Sequence, residues 1–534
     1  MISPQNQSPN VIDSMDGTLS EWYNSIDGAL RASEVIPGEY EYTVNVSYQG
    51  QCSVVAGGAT SVDIMCDRFK CISLDNSYLE CEQEVVFVCN MDQTTATFNG
   101  DRYYYIGYKD SFDLLHSYRI YSNGDLIQTQ NFPQYESLLL NYASIGDYSK
   151  EKTDTQATYD KVQKMNPYVP GIYLNMDIMA DDEAEITIKF KFRIPLNKFL
   201  MIKNLRWYMG WMGKTTMEMY PDHAGLVWCP IFPEGHGPTA LADAENDYGF
   251  VPFGKPANNY CTYAAGEYTA VGPQTFSISR STLTECKIRM AQYMINMDIY
   301  NALAMKYLQV PLFFPIQEVK TVRFNQQLQR SDNHQTATSL TASSTLSHCD
   351  SMFIAFPRTV SDRVTFINPE LTKFQVNIDG KLYPRDTYGT IDDVRFTNMV
   401  YDAFNINNNN LLSISEDVAN SLQPYRKIHG IPAGGGAMDA NGTKVYIPKD
   451  RSNFLIGIPF TNDEDFMGGI NNLGTAQIQI QLTKAAETEP YFEQAPVGIF
   501  LEDCILKIRS MKPDGRPQIE KTNATIEQIQ AGAM

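Results

Sequence analysis

The stretch Phe374-Gln-Val-Asn-Ile-Asp-Gly-Lys-Leu-Tyr383 constrains the fold more than any other part of this chain. Phe374, Val376 and Ile378 alternate with Gln375 and Asn377, the period-two pattern of a half-buried strand. Asp379-Gly380 supplies the two positive-φ positions of a tight hairpin turn. Leu382 and Tyr383 begin the return strand, and Pro384, with no N–H to donate, ends the ladder. The pattern occurs twice. Tyr118-Arg-Ile-Tyr-Ser-Asn-Gly-Asp-Leu-Ile127 has the same alternation, an Asn123-Gly124 turn and an apolar return. The two turn glycines are about 250 residues apart, a domain's length or more. Two further pairs follow in the same order. Ile194-Pro195-Leu196-Asn197 and Ile458-Pro459-Phe460-Thr461 each close a strand-like run. Cys286-Lys-Ile-Arg-Met290 and Cys504-Ile-Leu-Lys-Ile-Arg509 come later still. Three matches in one order predict two β domains of one topology in tandem.

Bulk composition agrees. A chain of 534 residues exceeds what one core supports. Hydrophobic content of 43% with 32 Tyr and 26 Phe suits folded, strand-rich domains. The net charge of −20 repels nucleic-acid phosphates and anionic membranes, so sequence-specific nucleic-acid binding is not expected. No run of 18 apolar residues is present, so no membrane insertion is expected. The first residues have neither the basic start nor the apolar run of a secretion signal. The ten cysteines therefore read as buried thiols, and the glycosylation patterns at Asn45 and Asn441 carry no weight.

In chain order, residues 1–54 read as a polar N-terminal arm with a short helix over 19–30 and a strand over 40–48. The first β domain spans 55–315. Its clearest strand is 185–194, where Ile186, Ile188, Phe190, Phe192 and Ile194 face one way and Thr187, Lys189, Lys191 and Arg193 the other. Residues 221–274, rich in Gly, Pro, Asn and Tyr, form a large loop insertion with little periodicity. Its size and Tyr248, Tyr260, Tyr263 and Tyr268 suggest burial against neighbouring copies. Pro311 and Pro315 bracket an apolar run and mark the junction, since proline breaks both helix and ladder. The second β domain spans 316–512, with a helix over 394–404 and a second clean alternation over 476–483. Residues 513–534 form a polar C-terminal tail, either a loose end or a contact arm.

No catalytic, cofactor or metal constellation emerges. Cys66, Cys71, Cys81 and Cys89 contain no C-x2-C pair, and Cys66 and Cys71 have opposite strand parity. His223 and His236 flank Cys229 without a carboxylate motif. His348 and Cys349 are adjacent in a strand and point to opposite faces. The acidic run Asp181–Glu185 lacks calcium-loop spacing, and Gly434-Gly435-Gly436 is followed by no Lys-Ser/Thr. Asn407–Asn410 reads as a polar loop. The chain is expected not to be an enzyme.

These residues resemble the major capsid proteins of the double jelly-roll lineage, in particular those of Polintons, Polinton-like viruses and virophages, which are related to adenovirus hexon. The likeness rests on Tyr103-Tyr-Tyr-Ile-Gly-Tyr-Lys109, on residues 118–130, on Asn368-Pro369 leading into 374–384, and on Phe500-Leu-Glu-Asp-Cys-Ile-Leu-Lys-Ile508. It implies an all-β fold of two tandem eight-stranded antiparallel jelly rolls with long inserted loops. It implies a homotrimeric, pseudo-hexagonal capsomer that tiles an icosahedral shell around double-stranded DNA, and so a place in the virion capsid after synthesis inside the host cell. Partners would be further copies of the chain, a penton protein and minor capsid proteins. The rival reading is a secreted tandem jelly-roll carbohydrate-active enzyme or lectin, which needs acidic or Asp/Asn/aromatic clusters gathered in a cleft or loops.

Overall fold

The computed structural model describes residues 26, 41–45, 52–53, 59–90, 103–108, 110–143, 171–175, 183–222, 225–233, 251–252, 275–309, 311–326, 338–357, 366, 369, 371–383, 399, 403, 425–429, 444–448, 455–460, 468–484, 494–509 and 518–522. The first half contains β1 (Glu41–Asn45), β2 (Cys52–Ser53), β3 (Thr60–Met65), β4 (Lys70–Asn90), β5 (Tyr103–Tyr108), β6 (Leu115–Ser122) and β7 (Asp125–Asn131). Helix α1 (Gln134–Ala143) follows, then β8 (Gly171–Asn175), β9 (Glu183–Pro195), β10 (Trp207–Met209), β11 (Lys214–Pro221), β12 (Leu226–Pro233), β13 (Val251–Pro252) and β14 (Thr275–Met294). Helix α2 (Met297–Gln309) leads into β15 (Leu312–Arg323), β16 (Thr338–Ala355), β17 (Leu371–Ile378) and β18 (Lys381–Tyr383). The chain closes with β19 (Tyr425–His429), β20 (Lys444–Pro448), β21 (Leu455–Pro459), β22 (Ile470–Lys484), β23 (Val497–Arg509) and β24 (Gln518–Thr522).

Every pairing between these strands is antiparallel. In the first half one sheet runs β1-β14-β4-β9 and the other β3-β11-β6-β7. Eight strands in chain order therefore fall as first-eighth-third-sixth and second-seventh-fourth-fifth, the connectivity of a jelly roll. The second half repeats it with one economy. β16 is a single bent strand whose first part pairs β22 and whose last part, Ser351–Ala355, pairs β21 and β23. It thus supplies the second and third strands, giving β15-β23-β16-β21 and β16-β22-β17-β18. The bend falls at His348, with φ +46°; the matching corner of the first roll, between β3 and β4, has Phe69 at φ +66°. The fold is two tandem jelly rolls.

The three paired sequence signals occupy matching places. Asn123-Gly124 (φ 50° and 94°) and Asp379-Gly380 (48° and 87°) both join the fourth strand to the fifth in the left-handed conformation of a type I′ turn. Each turn is held to the seventh strand in the same way. The Lys214 N–H donates to Asn123 Oδ1 at 3.0 Å and the Asn123 N–H to the Lys214 carbonyl at 2.8 Å. Gln477 and Asp379 repeat these bonds at 2.8 and 3.1 Å. Ile194-Pro195 and Ile458-Pro459 each end the sixth strand, and Cys286 and Cys504 each lie buried in the eighth.

Face assignments follow the alternation. Ile188, Phe190, Phe192 and Ile194 are buried, Ile186 is half-buried, Lys189 and Lys191 are exposed and Arg193 is half-exposed. Ile478, Ile480 and Leu482 are buried while Gln477 and Gln481 are exposed. Two sequence expectations needed correction. The ladder does not break at Pro315, which pairs with Ile505 inside β15. β15 lies at the end of its sheet, where a missing N–H costs nothing, and the Pro315 carbonyl accepts from Asn204 Nδ2 at 2.7 Å. Nor is the 221–274 stretch without regular structure, because β12 and β13 lie in it and β12 pairs with β5. Its four tyrosines lie outside the described residues, as do Asn407–Asn410 and Gly434–Gly436.

Candidate assembly surfaces

The two rolls meet along a buried seam. α1, from the connection between the fifth and sixth strands of the first roll, inserts Tyr135, Leu138 and Leu139 into an apolar cluster with Val319, Phe353, Ala355, Leu455, Val497, Ile499 and Leu501 of the second. The opposite face of that second-roll sheet fills its own sandwich with Phe324, Met352, Ile354 and Phe500. Hence β23 is buried on both faces, and its Val-Gly-Ile-Phe-Leu start reads as a continuous apolar run instead of an alternation. Further along the seam Leu312, Phe314, Ile316, Leu506, Ile508 and Ile519 join the core of the first roll. The tail contributes here: β24 pairs with β23 beyond Glu502, where β16 bends away to β22, and lies against β6 and β7. Ile26, helical, is fully buried in the first roll's core, and β1 and β2, also within the stretch read as an arm, pair with β14, so that β1 is the first strand of the first roll.

Two buried polar clusters stand beside this seam. Lys198 and Asp110 form a buried ion pair, and Asp110 also caps the short turn at Ser111–Leu114. Glu136 of α1 is fully buried. It accepts from the Tyr118 hydroxyl at 2.7 Å and from the Leu200 N–H at 3.3 Å. Burial pushes its carboxyl up from 4.5 to about 7; Tyr118, Leu200 and Lys198 pull it back, and Glu318 adds to the rise. The folded state therefore takes up a proton that the unfolded chain releases. Stability on this account is greatest below about pH 4.5, falls as the pH rises from 4.5 to 7, and is level above. The expected loss is about 3 kcal/mol. Glu136→Gln keeps an acceptor and should remove that slope in urea midpoints measured from pH 4.5 to 8; an unchanged slope would assign it to other groups.

Beyond one end of the rolls, connecting segments gather into a further sheet. It runs β19-β20-β12-β5-β8, with β5, β8 and β12 from the first roll and β19 and β20 from the second. The Asx-Gly hairpins carry Leu126 and Leu382, each two residues past its turn glycine and each exposed, at 56% and 43%. Exposed Met65 pairs with Lys214, beside the first hairpin, and exposed Met294 pairs with Lys70. The outer face of β4, β9 and β14 is a ladder of charge. Lys189 lies 3.6 Å from Glu82 and 3.7 Å from Glu84, Lys191 3.5 Å from Glu82, and Arg280 3.1 Å from Glu84. Arg289 meets Glu80 at 2.6 Å. The corresponding sheet of the second roll is covered by α1, so the two flanks differ in character although the strands match.

Among the described residues no three His, Cys, Asp or Glu side chains are grouped to hold a metal ion, and no helix is long and apolar enough to cross a membrane. Cys66 and Cys71 are buried near the corner between β3 and β4, and Cys81 contacts Cys286. His348 is buried at the bend of β16, within 3.3 Å of Asn471. His223 and His236 fall outside the described residues, and the side chain of Cys229, in β12, is likewise not described. Asp181 and Asp182 lie outside them too, while Glu183 and Glu185 begin β9. Sequence reasoning passed over α1, although Pro133 at its start and Tyr135, Leu138 and Leu139 at helical spacing were available as signals. The Lys198–Asp110 pair had no local signal, because its partners are 88 residues apart.

No protein-family model and no curated protein matches the chain. Solved structures do. The mavirus major capsid protein aligns with 93% of this chain and 92% of its own, at 10% identity and a TM-score of 0.46. A chain of the Sputnik virophage aligns with 93% of each, at 9% identity and 0.42. A chain of the PBCV-1 virus capsid aligns with 91% of this chain and 98% of its own, at 12% identity and 0.36.

Proposed function

We propose that this chain is a viral major capsid protein that assembles as a homotrimer. The carrying observation is the duplication: two jelly rolls of one strand order, fixed to each other by an apolar seam, with matched Asx-Gly hairpins bearing matched exposed leucines. A rigid pair of like domains has a use in closed symmetry. Three copies present six similar flanks, so a threefold particle packs laterally almost as a hexamer would. The sheet that is charged in the first roll is covered by α1 in the second, which makes the two rolls of each copy distinguishable within such a ring. The sequence resemblance to double jelly-roll capsid proteins supports the same reading. On this reading the capsomers tile an icosahedral shell around double-stranded DNA, with penton and minor capsid proteins completing it. The connecting-segment sheet fits the exposed end of the capsomer. Cryo-electron microscopy of particles formed by the expressed chain tests this. Pseudo-hexagonal capsomers of three chains are expected, and a lattice of true hexamers or of monomers would overturn the reading.

A further inference from the structure

Cys81 on β4 and Cys286 on β14 are directly opposed in the antiparallel ladder, with their sulfurs 3.5 Å apart. Both side chains point into the first roll, at 3% and 0% exposure. Directly opposed antiparallel residues have Cα atoms about 4.5–5.5 Å apart, inside the window that a disulfide spans without backbone movement. Closing the sulfurs to bonding distance needs a shift of roughly 1.5 Å, within reach of a χ1 adjustment at each residue.

We propose that Cys81 and Cys286 are a cross-linking site, a thiol pair that forms a disulfide between the third and eighth strands of the first roll when the chain folds under oxidising conditions. The co-reactant is a small disulfide such as glutathione disulfide. One cysteine thiolate attacks it, forming a mixed disulfide and expelling one glutathione thiolate. The second cysteine then attacks the protein sulfur of that mixed disulfide and expels the other. The two cysteine sulfurs lose two electrons, glutathione disulfide is reduced to two thiols, and the two cysteine protons go to them.

Burial sets the timing. The hydrogen bond to Cys286, together with burial, keeps the Cys81 thiol protonated in the folded protein, where a dissolved reagent has no approach. The exchange belongs to folding, before the sandwich closes. Its product ties residues 205 positions apart, linking the centre of the first roll to the strand that leads into α2 and the second roll. A tie over so long a loop restricts the unfolded chain strongly.

The test is a thiol map of the full chain produced in cells with an oxidising cytoplasm, alkylated in denaturant and digested. The expected result is a linked peptide pair joining Cys81 to Cys286, and a thermal midpoint that drops by several degrees on reduction. Cys286→Ala should lose the linked pair and the sensitivity to reductant. Should that variant fail to fold, the wild-type map decides alone. Recovery of Cys81 and Cys286 as alkylated thiols, or of either linked to another cysteine, would overturn the proposal.

Discussion

Leu139→Asp is expected to cost at least about 3 kcal/mol and to leave most of the expressed protein insoluble or unfolded. Leu139 is fully buried in the cluster where α1 meets the second roll, among Phe353, Ile499 and Leu501. A carboxylate there loses its hydration, and the surrounding side chains are hydrocarbon. Leu139→Ala is the milder control. It leaves a cavity without a charge, at about 2–5 kcal/mol depending on how far the seam relaxes. Urea unfolding of both variants against the wild type measures the difference. If Leu139→Asp folds with a midpoint close to the wild type, α1 is not what joins the rolls.

Gly469→Ala should be the most costly of the glycine-to-alanine changes at Gly380, Gly469 and Gly498 of the second roll. A Cβ at that position would stand 1.9 Å from the Cys349 carbonyl oxygen and 2.8 Å from the Asp350 nitrogen, both backbone atoms that cannot swing away. The clash falls at the bend of β16, the point where one strand passes from sheet to sheet. Relief therefore requires the corner itself to move, at about 1–3 kcal/mol or more. Gly380→Ala makes a useful contrast. Its Cβ would meet nothing within 4 Å, so only the strain of φ +87° remains, about 1–2 kcal/mol. Urea midpoints should place Gly469→Ala below Gly380→Ala, and the reverse order would mean the corner is soft.

What the sequence disclosed was whatever is written locally. Alternation placed Ile188, Phe190 and Phe192 inside and Lys189 and Lys191 outside, because a strand's side-chain period is fixed by its backbone. The Asx-Gly turns were legible because few residues tolerate positive φ at two consecutive positions. The seam was not legible. Lys198 looks like Lys189 in a list of residues, yet it is buried against Asp110, and only the folded chain brings them together. Leu501 alternates with nothing, because α1 covers the face that solvent would otherwise wet. Pro315 misled for a related reason: a proline is excluded from a central strand and allowed in a terminal one, and strand order is not a local property. The tail strand β24 carries one apolar residue, Ile519, so its place beside β23 follows from the edge left open where β16 bends away more than from its own pattern.

Assembly is the claim on which the functional reading stands, and native mass spectrometry of the purified chain tests it most directly. The reading predicts one dominant species at three times the 60.3 kDa chain mass, persisting on dilution. A monomer at every concentration, or a dimer, would contradict it.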